Sequence, residues 1–280
     1  HTELVTNYDI VFLWFDGYGF PYGDYGQEVC QAYFNHSLNT HGKIKGIVAG
    51  KFHEEPSTVK DIERGGSNEI LDYPWQGTLT FGSWFYKNDR PIRHNARTVI
   101  EMLTDMISKN GNMLLNVELR PDGTIPPDHE IILDDIGAWI KLNQEAIYAS
   151  KPWEIFGDNL NSSLKILEEQ NIGEADLKAL KEQAKAEHFN ERTVESLPYG
   201  PTEVRFTTNK NDLYIFVLNP ATGPIHLPSL GSDSDYSPNR IKSISMIGSK
   251  ESIKYDQTEN ELILYIPENR PNQYTTVFKV

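Results

Sequence analysis

The chain has 280 residues, of which 38% are hydrophobic and 11% aromatic, so it can bury a sizeable core in one large domain or two of ordinary size. Its formal net charge of -14 disfavours nucleic acid and anionic membrane surfaces as partners and suits neutral substrates better. A single cysteine, Cys30, excludes an internal disulfide and a cysteine metal cluster. Because no run of about 18 apolar residues occurs, no membrane span is expected.

The first third of the chain predicts strands of a parallel sheet. Residues 9–15 are apolar on both faces, as in a strand covered by helices. A helix is predicted around residues 28–38, a second strand at 44–50, and a further strand-like run at 77–86. The polar segment between residues 51 and 74 is interpreted as a loop.

Two amphipathic helices and another strand follow. Asn95 is predicted to cap a helix whose apolar face comprises Val99, Met102, Leu103, Met106 and Ile107. Residues 112–118 predict a buried strand. The run Pro126, Pro127, Asp128 is typical of a helix start, and Ile132, Ile136, Trp139 and Ile140 are expected to face inward. This alternation indicates part of an α/β barrel or an open parallel sheet.

The composition changes near residue 151. A charged, alanine-containing stretch predicts a surface helix that acts as a connector. Beyond Tyr199, six short strand-like runs alternate with turn residues, which is typical of an antiparallel sandwich. The chain is therefore divided near residue 195.

Asp16 stands at the carboxyl end of the first strand, where parallel barrels carry their catalytic groups. An Asp-Gly pair is also a strong turn signal, so a plain turn is the alternative. Tyr18, Phe20, Tyr22 and Tyr25 follow on a glycine-rich loop. Aromatic rings beside a carboxylate suit a sugar, whose C–H faces pack on rings while its hydroxyls bond to polar groups.

Glycoside hydrolysis usually needs two carboxyl groups, so Asp16 requires a partner. The polar segment offers five acidic residues: Glu54, Glu55, Asp61, Glu63 and Glu69. Most of them must be solvated surface charges, and spacing alone does not choose among them.

Three stretches resemble the α-L-fucosidases of glycoside hydrolase family 29. They are "LVTNYDIVFLWFDG", "DIERG" with "PWQ" and "SWFY" after it, and the long run from "VIEMLTDMISKNGNMLLNVELRPDG" to "YASKPWEIFG". The resemblance covers residues 1 to about 157 and extends more loosely through the C-terminal sandwich. It implies a retaining exo-hydrolase on a (β/α)8-type barrel followed by an antiparallel β-sandwich, without metal or organic cofactor.

The resemblance also implies roles for particular residues. Asp16 corresponds to the nucleophile and Glu63 to the acid/base. Glu69 is the second choice for the acid/base, and Glu54 or Glu55 the third. Some relatives carry glutamate where this chain has Gln76, whose amide cannot act as a general acid.

Three further residues are predicted to contact the substrate. Trp84 of "SWFY" matches an aromatic residue that packs on the sugar in the family, although a core tryptophan is the alternative. Arg64 is expected to bond the sugar or orient the acid, unless it only pairs with a loop carboxylate. Tyr18 of the glycine-rich loop completes the set.

The resemblance assigns residues 1–157 to the second half of the barrel, 158–195 to a helical connector and 196–280 to the sandwich. The first half of the barrel is then expected upstream or as another segment, and the isolated piece is expected to be inactive. The expected partner is a fucosylated glycan, not nucleic acid or membrane, and bacterial export to the periplasm or the medium is expected. The alternative is a non-catalytic carbohydrate-binding or scaffold protein derived from such a hydrolase.

Overall fold

The structure is a computed structural model that describes residues 1–16, 23–51, 58–63, 66–80, 82–88, 92, 94–160, 178, 199–236 and 240–280. The helices are α1 (Thr2–Asn7), α2 (Asp24–His41), α3 (Ala96–Ser108), α4 (Pro127–Leu142) and α5 (Gln144–Ile147). The strands of the first sheet are β1 (Phe12–Phe15), β2 (Ile47–Gly50), β3 (Val59–Glu63), β4 (Trp75–Thr80) and β5 (Gly111–Asn116).

These five strands form a parallel sheet in the order β1-β2-β3-β4-β5. Alternate side chains leave opposite faces of such a sheet. The outer face is apolar: Leu13 and Phe15 pack on Tyr33 of α2, and Trp75 and Leu79 belong to the cluster that contains α3. The predicted half of a (β/α)8-type barrel is confirmed, and its helices cover one side of the sheet as parallel strands require.

The polar segment at 51–74 is not all loop, because it contains β3. The prediction missed this strand since its inner face is charged: Asp61 and Glu63 alternate with Lys60 and Ile62. Charged residues on a strand lower its β-propensity, and parallel pairing with β2 and β4 overrides that local preference. Glu63 is thus the last residue of a strand and does not lie in a loop.

The two predicted helices on the outer side are confirmed. The Asn95 side chain accepts a hydrogen bond from the Thr98 amide at 3.0 Å and so caps α3. Helix α4 begins at Pro127 with Pro126 as its capping residue. Ile136 and Trp139 of α4 are buried against the apolar face of α3, in one core cluster.

The C-terminal part is the predicted antiparallel sandwich. Its strands are β6 (Lys151–Asp158), β7 (Val204–Asn209), β8 (Asp212–Val217), β9 (Gly223–Leu227), β10 (Ser245–Met246), β11 (Tyr255–Gln257), β12 (Leu262–Ile266) and β13 (Thr276–Lys279). Five of them form the sheet β10-β13-β8-β7-β6 and three form β11-β12-β9, with an apolar core between the sheets. Strand β9 was not predicted because it opens with Gly223 and Pro224; it lies at a sheet edge, where proline is tolerated.

Strand β6 differs from the expected domain division. The sequence assigned residues up to 157 to the barrel portion, but β6 pairs with β7 in the sandwich sheet. Residues 161–177 and 179–195 of the predicted connector lie outside the described residues.

The two parts share one core. Tyr214 and Phe216 of β8 belong to the same buried cluster as α3 and α4, and the Trp139 indole donates to the Thr275 carbonyl at 2.7 Å. At this junction the Asp105 carboxylate of α3 forms ion pairs with Lys109 at 2.7 Å and with Arg205 of β7 at 2.6 Å. All three side chains are buried. Helix α3 is therefore packed between the parallel sheet and the sandwich.

Candidate active site

Asp16 directly follows β1, so it lies at the carboxyl edge of the parallel sheet. Leu13 and Phe15 point to the outer core, so Trp14 and Asp16 point to the other face, the inner side of the barrel. The Asp16 side chain is 67% exposed. Apolar packing thus anchors the strand while its terminal carboxylate remains open to solvent.

Glu63 ends β3 on the same inner face. Its neighbour two residues earlier, Asp61, accepts a hydrogen bond from the Trp14 indole at 3.0 Å. Asp16 follows Trp14 by two residues and Glu63 follows Asp61 by two. The inner side chains therefore form two layers, with Trp14 and Asp61 below and Asp16 and Glu63 above, as alternate strands do in parallel barrels.

Lys51, directly after β2, lies between the two upper carboxylates. Its ammonium nitrogen contacts both Asp16 Oδ1 and Glu63 Oε2. Two oxygens that contact one nitrogen at ordinary ion-pair lengths of about 2.8 Å are at most about 5.6 Å apart. This upper limit is compatible with the roughly 5 to 5.5 Å between the carboxyl groups of retaining glycosidases.

The burial and charge of Lys51 are linked. Its side chain is 10% exposed, and burial by itself lowers the pKa of a lysine. The hydrogen bonds and negative charges of Asp16 and Glu63 outweigh this effect and hold the pKa of Lys51 above its usual value. The Lys51 nitrogen also lies 5.4 Å from the centre of the Trp14 ring. The residue is therefore a fixed cation within the site.

The lower layer forms the floor of the site. Asp61, which is 3% exposed, accepts hydrogen bonds from Thr78 at 2.8 Å and Gln76 at 3.3 Å besides the one from Trp14. These donors are neutral, so Asp61 is satisfied without a cation. Gln76 thus lies in the floor as a hydrogen-bond donor.

The backbone around Trp84 is tied to the ends of β4 and β5. Thr80 donates to the Ser83 carbonyl at 2.7 Å, Asn116 donates to the Trp84 carbonyl at 3.3 Å, and the Ser83 amide donates to Glu118 at 2.7 Å. Trp84 itself is half-buried. Asn116, the last residue of β5, therefore anchors the segment that carries Trp84.

Glu69 lies on the connection that returns from β3 to β4. It is exposed, and Leu71, two residues later, bonds to Lys109 and Asn110 immediately before β5 begins. A separation of two residues spans at most about 7 Å. This places Glu69 toward the amino ends of the strands, whereas Asp16 lies at their carboxyl ends.

The remaining predicted site residues, Tyr18, Arg64, Glu54 and Glu55, lie outside the described residues. The structure therefore brings together Asp16 and Glu63, with Asp61 below them, and it adds Lys51 between them. Lys51 could have been found by the rule that selected Asp16, because it too directly follows a buried parallel strand.

Within the described ranges, no group of three or more histidine, cysteine or acidic side chains is arranged to hold a metal ion. Likewise, none of the described helices is both long and apolar enough to cross a lipid bilayer.

A half-barrel followed by a β-sandwich has known counterparts. The family model for alpha-L-fucosidase matches residues 1–145, and the model for the alpha-L-fucosidase C-terminal domain matches residues 200–280. The chain belongs to the alpha-L-fucosidase family.

Curated relatives agree with this assignment. The plasma alpha-L-fucosidase of Homo sapiens is 28% identical over 169 residues, which cover 56% of this chain and 36% of the human protein. The tissue alpha-L-fucosidase of Bos taurus is 39% identical over 90 residues, 31% of this chain and 19% of the bovine protein. The match thus spans well under half the length of these relatives.

Solved structures show the same fold over nearly the whole chain. The alpha-fucosidase of Thermotoga maritima superposes with a TM-score of 0.68 and 21% identity, covering 99% of this chain and 54% of that one. A family 29 alpha-L-fucosidase of Bacteroides thetaiotaomicron, solved as a trapped covalent intermediate with 2-fluoro-fucosyl fluoride, gives a TM-score of 0.63 at 16% identity. It covers 99% of this chain and 58% of that one.

Proposed function

We propose that this chain supplies the nucleophile and the acid/base of a retaining exo-α-L-fucosidase. One observation carries the proposal: Asp16 and Glu63 meet at the carboxyl edge of the half-barrel, on the same cation. The family assignment supports the choice of terminal α-L-fucose as the substrate. The covalent intermediate trapped in the Bacteroides enzyme supports a double displacement.

In the first step, a carboxylate oxygen of Asp16 attacks the anomeric carbon of the fucoside and the glycosidic C–O bond breaks. The carboxyl group of Glu63 gives its proton to the departing oxygen. In the second step, water attacks the anomeric carbon of the fucosyl ester, and Glu63 takes the proton of that water. Fucose leaves and both carboxyl groups return to their starting states.

The charge of the site suits the transition state of this reaction. Among the described residues around Lys51, Asp16 and Asp61 contribute two negative charges against the one positive charge of Lys51, while Glu63 carries the proton that it donates. Positive charge develops on the sugar as the bond breaks, because the transition state resembles an oxocarbenium ion. A net negative site stabilises that charge more than it stabilises the neutral substrate, which is what catalysis requires.

Five parallel strands are fewer than an eight-stranded barrel needs, and β1 and β5 are the edges of the sheet. We propose that a further segment pairs with these two edges and completes the sugar pocket. The protein used in every activity assay therefore has to contain that segment together with this chain. Trp84 is proposed to pack on the sugar in the completed pocket, and export of the protein stays a prediction.

The decisive experiment is covalent trapping. Incubation with 2-deoxy-2-fluoro-fucosyl fluoride, proteolysis and mass spectrometry should find one fucosyl label, on the peptide that holds Asp16. A label on another carboxylate would refute the assignment of Asp16. Binding of the fucoside without any label would favour the non-catalytic carbohydrate-binding alternative.

Two variants separate the roles. Asp16→Asn should lower kcat by about 10³-fold or more while fucose still binds, as measured by calorimetry. Glu63→Gln should slow oligosaccharides far more than aryl fucosides, because an activated aryl leaving group needs little proton assistance. Equal losses on both substrates would assign Glu63 another role, and Glu69→Gln serves as the matched control.

A further inference from the structure

Lys51 is a partly buried lysine that neither the sequence predictions nor the roles proposed above explain. Its side chain is 10% exposed, whereas lysines are almost never buried unless they are paired. Its partners are Asp16, directly after β1, and Glu63, the last residue of β3. A single side chain directly after β2 therefore connects the two carboxylates that flank it.

The other described side chains around Lys51 are not its ion-pair partners. Asp61, from β3, accepts its hydrogen bonds from Trp14, Thr78 and Gln76. From β1, Lys51 meets the Trp14 ring besides Asp16. His53, Glu54 and Glu55, which follow in the chain, lie outside the described residues.

Two carboxylates within about 5.6 Å of each other repel, and without a cation the pair holds a proton to higher pH. A positive charge between them removes much of that repulsion and favours the state in which both are ionised. It also gives both carboxylates a common hydrogen-bond donor, which fixes their separation.

We propose that Lys51 is a positioning residue that acts through Asp16 and Glu63: it holds the two carboxylates as an ionised pair in the free site and thereby limits activity at alkaline pH. The inference rests on the proposed function of those two residues. Glu63 must carry a proton to assist the leaving group, and a neighbouring cation disfavours its protonated form. The rate constant kcat/KM therefore falls at a lower pH than it would without Lys51.

The test compares Lys51→Met, which removes the charge but keeps an unbranched side chain of similar size, with Lys51→Arg, which keeps the charge. In a pH profile of kcat/KM on a fucosylated oligosaccharide, whose departure needs the proton of Glu63, Lys51→Met should move the alkaline limb upward by about one pH unit or more. Lys51→Arg should leave that limb near its original place. An unmoved limb in Lys51→Met would overturn the proposal, even if the rate is lower.

A second measurement does not depend on activity. Side-chain carboxyl ¹³C titration of the free protein, with Asp16→Asn and Glu63→Gln to assign the signals, reports the pair directly, with apparent pKa values that belong to the pair. Removal of the Lys51 charge should raise the upper of these values, and an unchanged titration would contradict the proposal. If Lys51→Met does not fold, Lys51→Gln supplies the uncharged variant.

The two measurements also separate this inference from the proposed function. If the fluoro-sugar labels a residue other than Asp16 but the carboxyl titration still responds to Lys51, the ion pair is real and the assignment of the nucleophile is wrong. If Asp16 is labelled and neither the titration nor the pH profile responds, the inference about Lys51 fails alone.

Discussion

The junction between the half-barrel and the sandwich depends on one carboxylate, that of Asp105. The variant Asp105→Asn measures how much this carboxylate contributes to the free energy of unfolding. Asp105 is 1% exposed and holds two buried cations, Lys109 at 2.7 Å and Arg205 at 2.6 Å. Arg205 also donates to Glu203 at 3.0 Å. Burial by itself raises the pKa of a carboxyl, but the charges of Lys109 and Arg205 outweigh it and hold the pKa of Asp105 below its usual value.

Replacement by the neutral amide leaves both cations without their shared anion in a site closed to water. Breaking a buried ion pair from one side costs about 3 to 5 kcal/mol. That is a large share of the roughly 5 to 15 kcal/mol that stabilises a typical domain. We therefore expect urea denaturation, followed by circular dichroism and tryptophan fluorescence, to show a loss of about 3 kcal/mol or more.

The pH dependence of this loss has a defined sign. Because the folded-state pKa of Asp105 is depressed, its contribution is present above the unfolded value of 3.8 and disappears as the pH falls through the folded value. The difference in the free energy of unfolding between the variant and the original protein should therefore become smaller at acidic pH. Asp134→Asn, on the exposed side of α4, is the matched control and should change stability by less than about 0.5 kcal/mol. A loss below about 1 kcal/mol for Asp105→Asn would refute the reasoning.

Two further predictions concern stability. Gly46→Ala should destabilise the protein by about 1 to 3 kcal/mol in denaturant titration, because the added methyl would lie 2.7 Å from the Val11 carbonyl and would overlap the Tyr33 hydroxyl. In the control Gly137→Ala the added methyl meets nothing within 4 Å, so this variant should be neutral or stabilising. Equal effects of the two substitutions would contradict the argument. Burial raises the pKa of Glu101 to about 8, although the positive charge of Arg97 acts to lower it. The folded protein therefore keeps a proton on Glu101 that the unfolded chain loses above about pH 4.5. Stability should then fall between about pH 4.5 and 8, and Glu101→Gln should flatten that fall; parallel stability curves would disprove it.

The sequence predicted best where local chemistry and burial agree. The strand that contains Leu13 and Phe15 is apolar on its outer face, and its inner face carries the aromatic side chain of Trp14. The apolar run is therefore easy to distinguish from the adjacent sequence. The cap at Asn95 depends on a side chain and a backbone amide three residues away, which the sequence contains by itself. Such features need no information about the rest of the fold.

Strand β3 shows the opposite case. Asp61 and Glu63 give it the composition of a loop, and it becomes a strand because β2 and β4 supply its backbone partners. The same pairing fixes the register that brings Glu63 level with Lys51 and Asp16. Local propensity does not contain this information, because hydrogen bonds between parallel strands join residues far apart in the chain.

The sequence by itself determined that Asp16 ends an apolar strand, that two amphipathic helices follow, and that an antiparallel sandwich forms the C-terminal part. Only the tertiary structure decided that Glu63 lies beside Asp16, and that a lysine lies between them. The physical reason is that a carboxylate pair is defined by a distance of a few ångströms between side chains on different strands. That distance is set by the pairing and register of the sheet, which arise only when the whole set of strands has assembled.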